Sequence, residues 1–160
     1  MGTEIFIDIE AGNWSAQDQA RVEQAVRATL AAEAQHPWLS LGDDVEVGVL
    51  LADDTTVQRY NREHRHQDKP TNVLSFALND GDDPPSGALG DILLARETLE
   101  REAAERNLPV ADHLAHLVVH GLLHLLGYDH EQGPAQEARQ EARERDILAS
   151  LGVADPYDAA

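Results

Sequence analysis

His120, His124 and His130 are the residues of this sequence whose type and spacing best suit joint chemistry. They lie in HGLLHLLGYDH, residues 120–130, among four leucines and two glycines. On a helix, residues four apart are separated by about 40° around the axis and about 6 Å along it. His120 and His124 therefore project from one face and can share a metal ion. His130 comes six residues later and would point to roughly the opposite side of a continued helix. Gly127 stands where a left-handed cap ends a helix, and a turn there can swing His130 back over the first two rings. Leu122, Leu123, Leu125 and Leu126 flank the ligand face, so they can bury the helix and hold its imidazoles rigidly.

Three neutral imidazoles leave one coordination position for water, the usual arrangement of catalytic zinc. Zn2+ is the expected cofactor, one ion per chain; nickel, manganese and iron are also compatible with this ligand type. Such an ion lowers the pKa of its bound water from about 15.7 towards 7. The spacing H-x3-H-x5-H is also that of the metzincin zinc proteases. Gly121 stands where those enzymes carry their glutamate base, and the only methionine is Met1, so no methionine turn follows. A metallopeptidase-like hydrolase is the weaker reading.

His113, His116, His120 and His124 fall within roughly 80° of arc on one helix. A ligand pair of His116 and His120 is rejected, because only His120 and His124 lie close enough to the Gly127 turn for His130 to complete the site. His116 is expected beside the site, touching RNA or a carboxylate, and His113 is expected to be an exposed helix residue. Asp91, after Gly90, is a candidate acid/base group or a support for one. It reads equally well as a strand-end carboxylate paired with an arginine or a backbone donor. Asp129 either orients a ligand ring, since ligating histidines usually donate their other N–H, or is a turn residue.

The elements that must position these side chains follow from periodicity. EIFIDIE at 4–10 alternates as a half-buried strand does, and further strands are read at 45–52, 72–79 and 88–95. Helices are read from 13 or 15 to about 35, from 53 or 54 to about 63, over 98–107, from 109 to about 126, and from 135 to about 151. Residues 80–87, DGDDPPSG, form a loop on composition. The final helix, with EARQEARERD, is expected to present a solvated face with internal ion pairs. The order β-α-β-α-β-β-α-α-α makes one mixed α/β domain over residues 1–160, with the metal site on a central helix.

The chain has 160 residues, 42% of them hydrophobic, which suits one domain with a real core. It has no cysteine, which excludes disulfides, Cys-ligated zinc and thiol catalysis. MGTEIFIDIEAG is unlike a secretory signal and no apolar run spans a bilayer, so a cytoplasmic protein without membrane contact is expected. The formal charge of −18 repels free polyanions. Contact with RNA must then be local. Four of the twelve cations, Arg59, Arg62, Arg65 and Lys69, lie within eleven residues, together with His64 and His66.

HGLLHLLGYDH, preceded by HLAHLVV, resembles the motif of the YbeY endoribonucleases, the bacterial rRNA maturation factors. DKPTNVLSF at 68–76, LGDI at 89–92 and DPY at 155–157 resemble other segments of that family in the same order. The likeness covers most of the chain from about residue 45 onward. It implies an α+β fold: a small, mixed, four-stranded sheet packed with about five helices. It also implies a zinc-type ion on His120, His124 and His130, and a functional Arg65, five residues before Pro70. The implied activity is metal-dependent, single-strand-specific endoribonuclease action in 16S rRNA 3′-end maturation and ribosome quality control. The implied partners are the rRNA precursor and the small ribosomal subunit or its assembly proteins.

Phosphodiester cleavage requires charge stabilisation at phosphorus, which a metal and an arginine supply together. The planar fork of Arg65 can grip two phosphate oxygens, as lysine cannot. The attacking group, hydroxide from the metal's water or the RNA 2′-OH, is left open. The alternative is a non-catalytic ribosome-assembly factor whose metal is structural. Three histidines without a fourth protein ligand weigh against it.

Overall fold

The computed structural model describes residues 2–34, 44–65, 71–77, 87–128 and 134–157. Its elements are β1 (Gly2–Ile9), α1 (Ala16–Glu33), β2 (Asp44–Ala52), α2 (Asp54–Arg65), β3 (Val73–Ala77), β4 (Gly87–Ala95), α3 (Arg96–Glu105), α4 (Val110–Leu125) and α5 (Pro134–Ser150). This is the order that periodicity predicts. The expected loop at 80–87 falls outside the described residues, except for Gly87, which opens β4.

Local chemistry fixes several boundaries. Ser15 caps α1 in a reciprocal pair: its hydroxyl accepts from the Asp18 amide at 3.1 Å, and the Asp18 carboxylate accepts from the Ser15 amide at 2.8 Å. Asp53 does the same work for α2, accepting from the Thr56 amide at 2.8 Å. Hydrogen bonds from Thr56 hold the Asp53 carboxyl below its ordinary range. Pro109 precedes the first turn of α4, where its missing N–H is no loss.

The sheet has the order β1-β2-β4-β3, with β1, β2 and β4 parallel and β3 antiparallel at one edge. Val45, Val47, Val49 and Leu51 of β2 face the larger core, which also takes Val22, Val26 and Leu30 of α1, Leu99 of α3, most of α4, and Ile147 and Leu148 of α5. Among the described residues the other face is covered by α2 alone, through a smaller cluster of Ala52, Val57, Leu74, Leu93 and Ala95. The result is a mixed sheet with four helices on one side and one on the other.

One irregularity decides which way β4 points its side chains. Glu46 pairs with Ala88 and Val47 with Gly90, so Leu89 is an extra residue on β4. The bulge is possible because Gly90 adopts φ +141, and a Cβ there would lie 2.2 Å from the Phe76 carbonyl. Leu89 and Ile92 both reach the larger core as a consequence.

Candidate functional site

Helix α4 is buried almost all the way round, from His113 to Val119 without interruption. It packs so closely on β3 and β4 that residue 121 has almost no room for a side chain. A Cβ there would stand 3.0 Å from Ser75 Oγ, 3.2 Å from Ile92 Cγ2 and 3.3 Å from Val73 Cγ2. Ser75 Oγ donates to the Gly121 carbonyl at 3.1 Å. The position that bears the glutamate base in the metzincin motif is therefore filled by the sheet, and a carboxylate there would be driven into Ser75 and Ile92.

The helix ends as its glycine predicts. Gly127 has φ +108, the Gly127 amide donates to the His124 carbonyl at 3.1 Å, and the Tyr128 amide donates to the Leu123 carbonyl at 3.1 Å. These two bonds form a Schellman cap, which reverses the chain after Leu126. His120 and His124 lie one turn apart at this end of α4 and are half-buried. His130 and Asp129 lie outside the described residues. Among the described residues no three metal-ligating side chains converge.

The surroundings of His120 supply what a metal-binding imidazole requires, an acceptor on its other nitrogen. Glu144 of α5 has a side chain with no exposure, and its Oε2 lies 3.2 Å from His120 Nδ1. Its Oε1 lies 2.8 Å from His116 Nε2 and accepts the Tyr157 hydroxyl at 2.7 Å. Burial pushes the Glu144 carboxyl up, but hydrogen bonds from His116 and His120 outweigh that and bring it down to about 2. It is a carboxylate under all ordinary conditions. Burial, then the Glu144 charge, pushes the Tyr157 hydroxyl far above its usual range, so it stays a donor.

His116 thus lies beside the histidine pair and touches a carboxylate, one of the two contacts expected of it. His113 corrects an expectation. It is 2% exposed, not solvated, and its Nε2 lies 2.8 Å from Glu102 of α3. Residues 113–119 are all buried, and the His113 side faces α3 instead of water. Burial lowers the His113 pKa despite Glu102.

The solvated face expected of α5 is present, with Glu137, Arg139 and Asp146 exposed and Arg145 paired with Glu141 at 4.0 Å, but the same stretch also carries a buried face. Gln140 is 1% exposed, and Glu144 points inward with Ile147 and Leu148. Arg143 adds a second inward pair, donating to the buried Glu33 carboxylate at 2.7 Å, which also accepts from Tyr128 Oη at 3.1 Å. Burial and the Glu33 carboxylate push the Tyr128 hydroxyl up to about 12. Glu144 and Tyr157 are the residues that sequence reasoning missed. The signal was present: 140, 144, 147 and 148 share one helical face, and two of them are aliphatic.

Asp91 is not brought to the α4 histidines. The Leu89 bulge turns it to the opposite face of the sheet, where its Oδ1 covers Gly48. There it lines a cavity of about 640 Å³ with Phe6, Tyr60, His64 and Phe76. The His64 ring stacks on Tyr60 at 5.7 Å and meets Phe76 edge-on at 5.5 Å. Arg65 is the last residue of α2, the helix that carries Tyr60 and His64; its side chain lies outside the described residues. Arg59 pairs with Glu10 at 3.4 Å.

The profile of the family described as Endoribonuclease YbeY matches residues 8–152. The protein named Endoribonuclease YbeY of Rhodospirillum rubrum is 49% identical over 96% of this chain and 80% of its own length. Its namesake in Magnetococcus marinus is 48% identical over 82% of this chain and 99% of its own length. The solution structure of TM1509 from Thermotoga maritima has the same fold, with a TM-score of 0.58 and 24% identity, covering 96% of this chain and 99% of that one. No helix among the described residues is long and apolar enough to cross a membrane. The histidine helix, its Schellman turn and these relatives together show that the chain belongs to the endoribonuclease YbeY family.

Proposed function

We propose that this chain is a metal-dependent, single-strand-specific endoribonuclease that matures the 3′ end of 16S rRNA in the cytoplasm, working as a single domain. Membership of the family supports phosphodiester cleavage. The observation that carries the metal dependence is the buried Glu144 carboxylate on Nδ1 of His120, one helical turn from His124. The proposed ligands are His120, His124 and His130, and the proposed ion is Zn2+. When bound, such an ion supplies Lewis acidity to a phosphate oxygen and acidifies water.

The protein's own groups do the rest. Arg65 holds non-bridging phosphate oxygens through its planar fork. His116 supports the site through Glu144 and does not touch the ion. Asp91, across the sheet, is given no part in this reaction. The charge of −18 keeps RNA from binding indiscriminately, so engagement depends on the cations of α2 and the segment after it. The same acidity favours basic proteins of the small ribosomal subunit or its assembly as partners.

The test combines metal analysis with RNA cleavage for the parent, His124→Ala and Arg65→Ala. His124→Ala loses the metal and the activity; Arg65→Ala keeps the metal and loses cleavage of single-stranded RNA. A parent that binds zinc yet leaves single-stranded RNA intact overturns the catalytic reading in favour of a structural metal. Normal cleavage by Arg65→Ala removes that residue from the mechanism.

A further inference from the structure

We infer that Glu144 is a positioning residue for metal binding: it holds the His120 ring with its proton on Nδ1 and its lone pair on Nε2, while His116 and Tyr157 hold Glu144. This rests on the metal reading above, but its first readout does not need the metal.

The argument is one of donors and acceptors. A carboxylate oxygen offers only lone pairs. Glu144 Oε2 lies 3.2 Å from His120 Nδ1, so the contact is attractive only when Nδ1 carries a hydrogen. A neutral imidazole has one ring hydrogen, so Nε2 is then the nitrogen with the lone pair. Gln140 Nε2 also lies 3.3 Å from Nδ1, but it is a donor with a better target, the His120 carbonyl at 3.2 Å. Glu144 Oε1 is occupied separately, by Tyr157 Oη at 2.7 Å and His116 Nε2 at 2.8 Å. Those two donors fix the carboxylate plane and leave Oε2 to His120.

Tyr157 arrives at the site under restraint. Arg106 Nη2 donates to the Pro156 carbonyl at 2.6 Å. Asp155 accepts from the Tyr157 amide at 2.8 Å and from Arg145 Nε at 3.0 Å. The segment DPY therefore serves the histidine site, through Glu144, from outside the helix that carries it.

An internal comparison separates positioning from simple helix docking. Glu102 holds His113 through an equivalent contact of 2.8 Å, about two turns before His120 on the same helix. That pair has the same chemistry but does not contact His120 or Glu144.

The decisive variant is Glu144→Gln. Its amide replaces one oxygen with NH2. The two donors at the Oε1 position keep the carbonyl there, so the NH2 faces His120 Nδ1 and selects the opposite tautomer. In metal-free protein, long-range 1H–15N spectra should report His120 protonated at Nδ1 in the parent and at Nε2 in Glu144→Gln. Zn2+ affinity, measured by competition with a chromophoric chelator, should fall about 10–100-fold in Glu144→Gln, less in Tyr157→Phe, and not at all in Glu102→Gln. If Glu144→Gln fails to fold, Tyr157→Phe carries both measurements.

A His120 tautomer and a Zn2+ affinity both unchanged in the variants of 144 and 157 overturn the inference. So does an equal loss of affinity in Glu102→Gln, which would reduce Glu144 to a helix contact. A parent that binds no Zn2+ sinks the metal reading instead, and the tautomer measurement still decides the role of Glu144.

Discussion

Gly121→Ala adds one methyl group to the close interface of α4 with β3 and β4, and two opposing effects set the outcome. Replacing glycine inside a helix stabilises by about 1 kcal/mol. Against this, the new Cβ stands 3.0 Å from Ser75 Oγ, 3.2 Å from Ile92 Cγ2 and 3.3 Å from Val73 Cγ2. All three are closer than comfortable contact, and they come from two adjacent strands, so no single side chain can yield. Overpacking of this kind costs about 1–3 kcal/mol. Moving Ser75 away also weakens its 3.1 Å bond to the Gly121 carbonyl, worth about 1 kcal/mol. The balance is a loss of about 1–3 kcal/mol. Urea unfolding should show a lower midpoint with an unchanged slope, and Gly121→Val should fall further. An alanine variant more stable than the parent by the full helix-propensity gain would refute the close packing of α4 on β3 and β4.

Gly127→Ala should destabilise by about 1–2 kcal/mol through backbone strain alone, because φ is +108 and nothing lies within 4 Å of the added carbon. Gly152→Ala, at φ +76, is the matched control: it should lose stability but keep Zn2+ affinity, whereas Gly127→Ala should lose both. Equal Zn2+ affinity in the two variants would detach the Gly127 turn from the metal site. His113 is held below its ordinary value of about 6.5 by burial, so the unfolded chain takes up its proton first as pH falls. Its contribution is complete above pH 6.5 and is lost as pH drops through the depressed value. His113→Leu should therefore show a shallower loss of stability between pH 7 and 5 in urea titrations; an identical pH dependence in parent and variant would contradict the burial of this ring.

What could be read from the sequence was local, and what could not was facial. The histidine spacing, the Gly127 stop, the Ser15 start and the strand alternation each depend on a few neighbouring residues, and the structure shows the elements they predict. Asp91 depends on parity along β4, and one extra residue at Leu89 reverses that parity; the only sign of it in ALGDILLA is the lone Gly90, which does not say which residue is extra. His113 and Glu144 depend on how many sides of a helix are covered. A helix with four histidines reads as partly wet, and one with seven charges among its seventeen residues reads as a surface element. Only the packing of α3 and α5 against α4 shows that both polar rows face inward and meet in the pairs His113–Glu102 and His116–Glu144. The third proposed ligand, His130, and the Arg65 side chain lie outside the described residues.

The pairing of His116 with Glu144 spans 28 positions of chain, and that separation gives the protein an order of assembly. Translation adds about 5–20 residues per second, so the imidazoles emerge on the order of seconds before their carboxylate exists. In a nascent polypeptide those rings still exchange freely between tautomers. On the metal reading proposed above, loading with an ion is then a late event of maturation, gated by the docking of α5, and a half-made chain is a poor scavenger of cellular zinc.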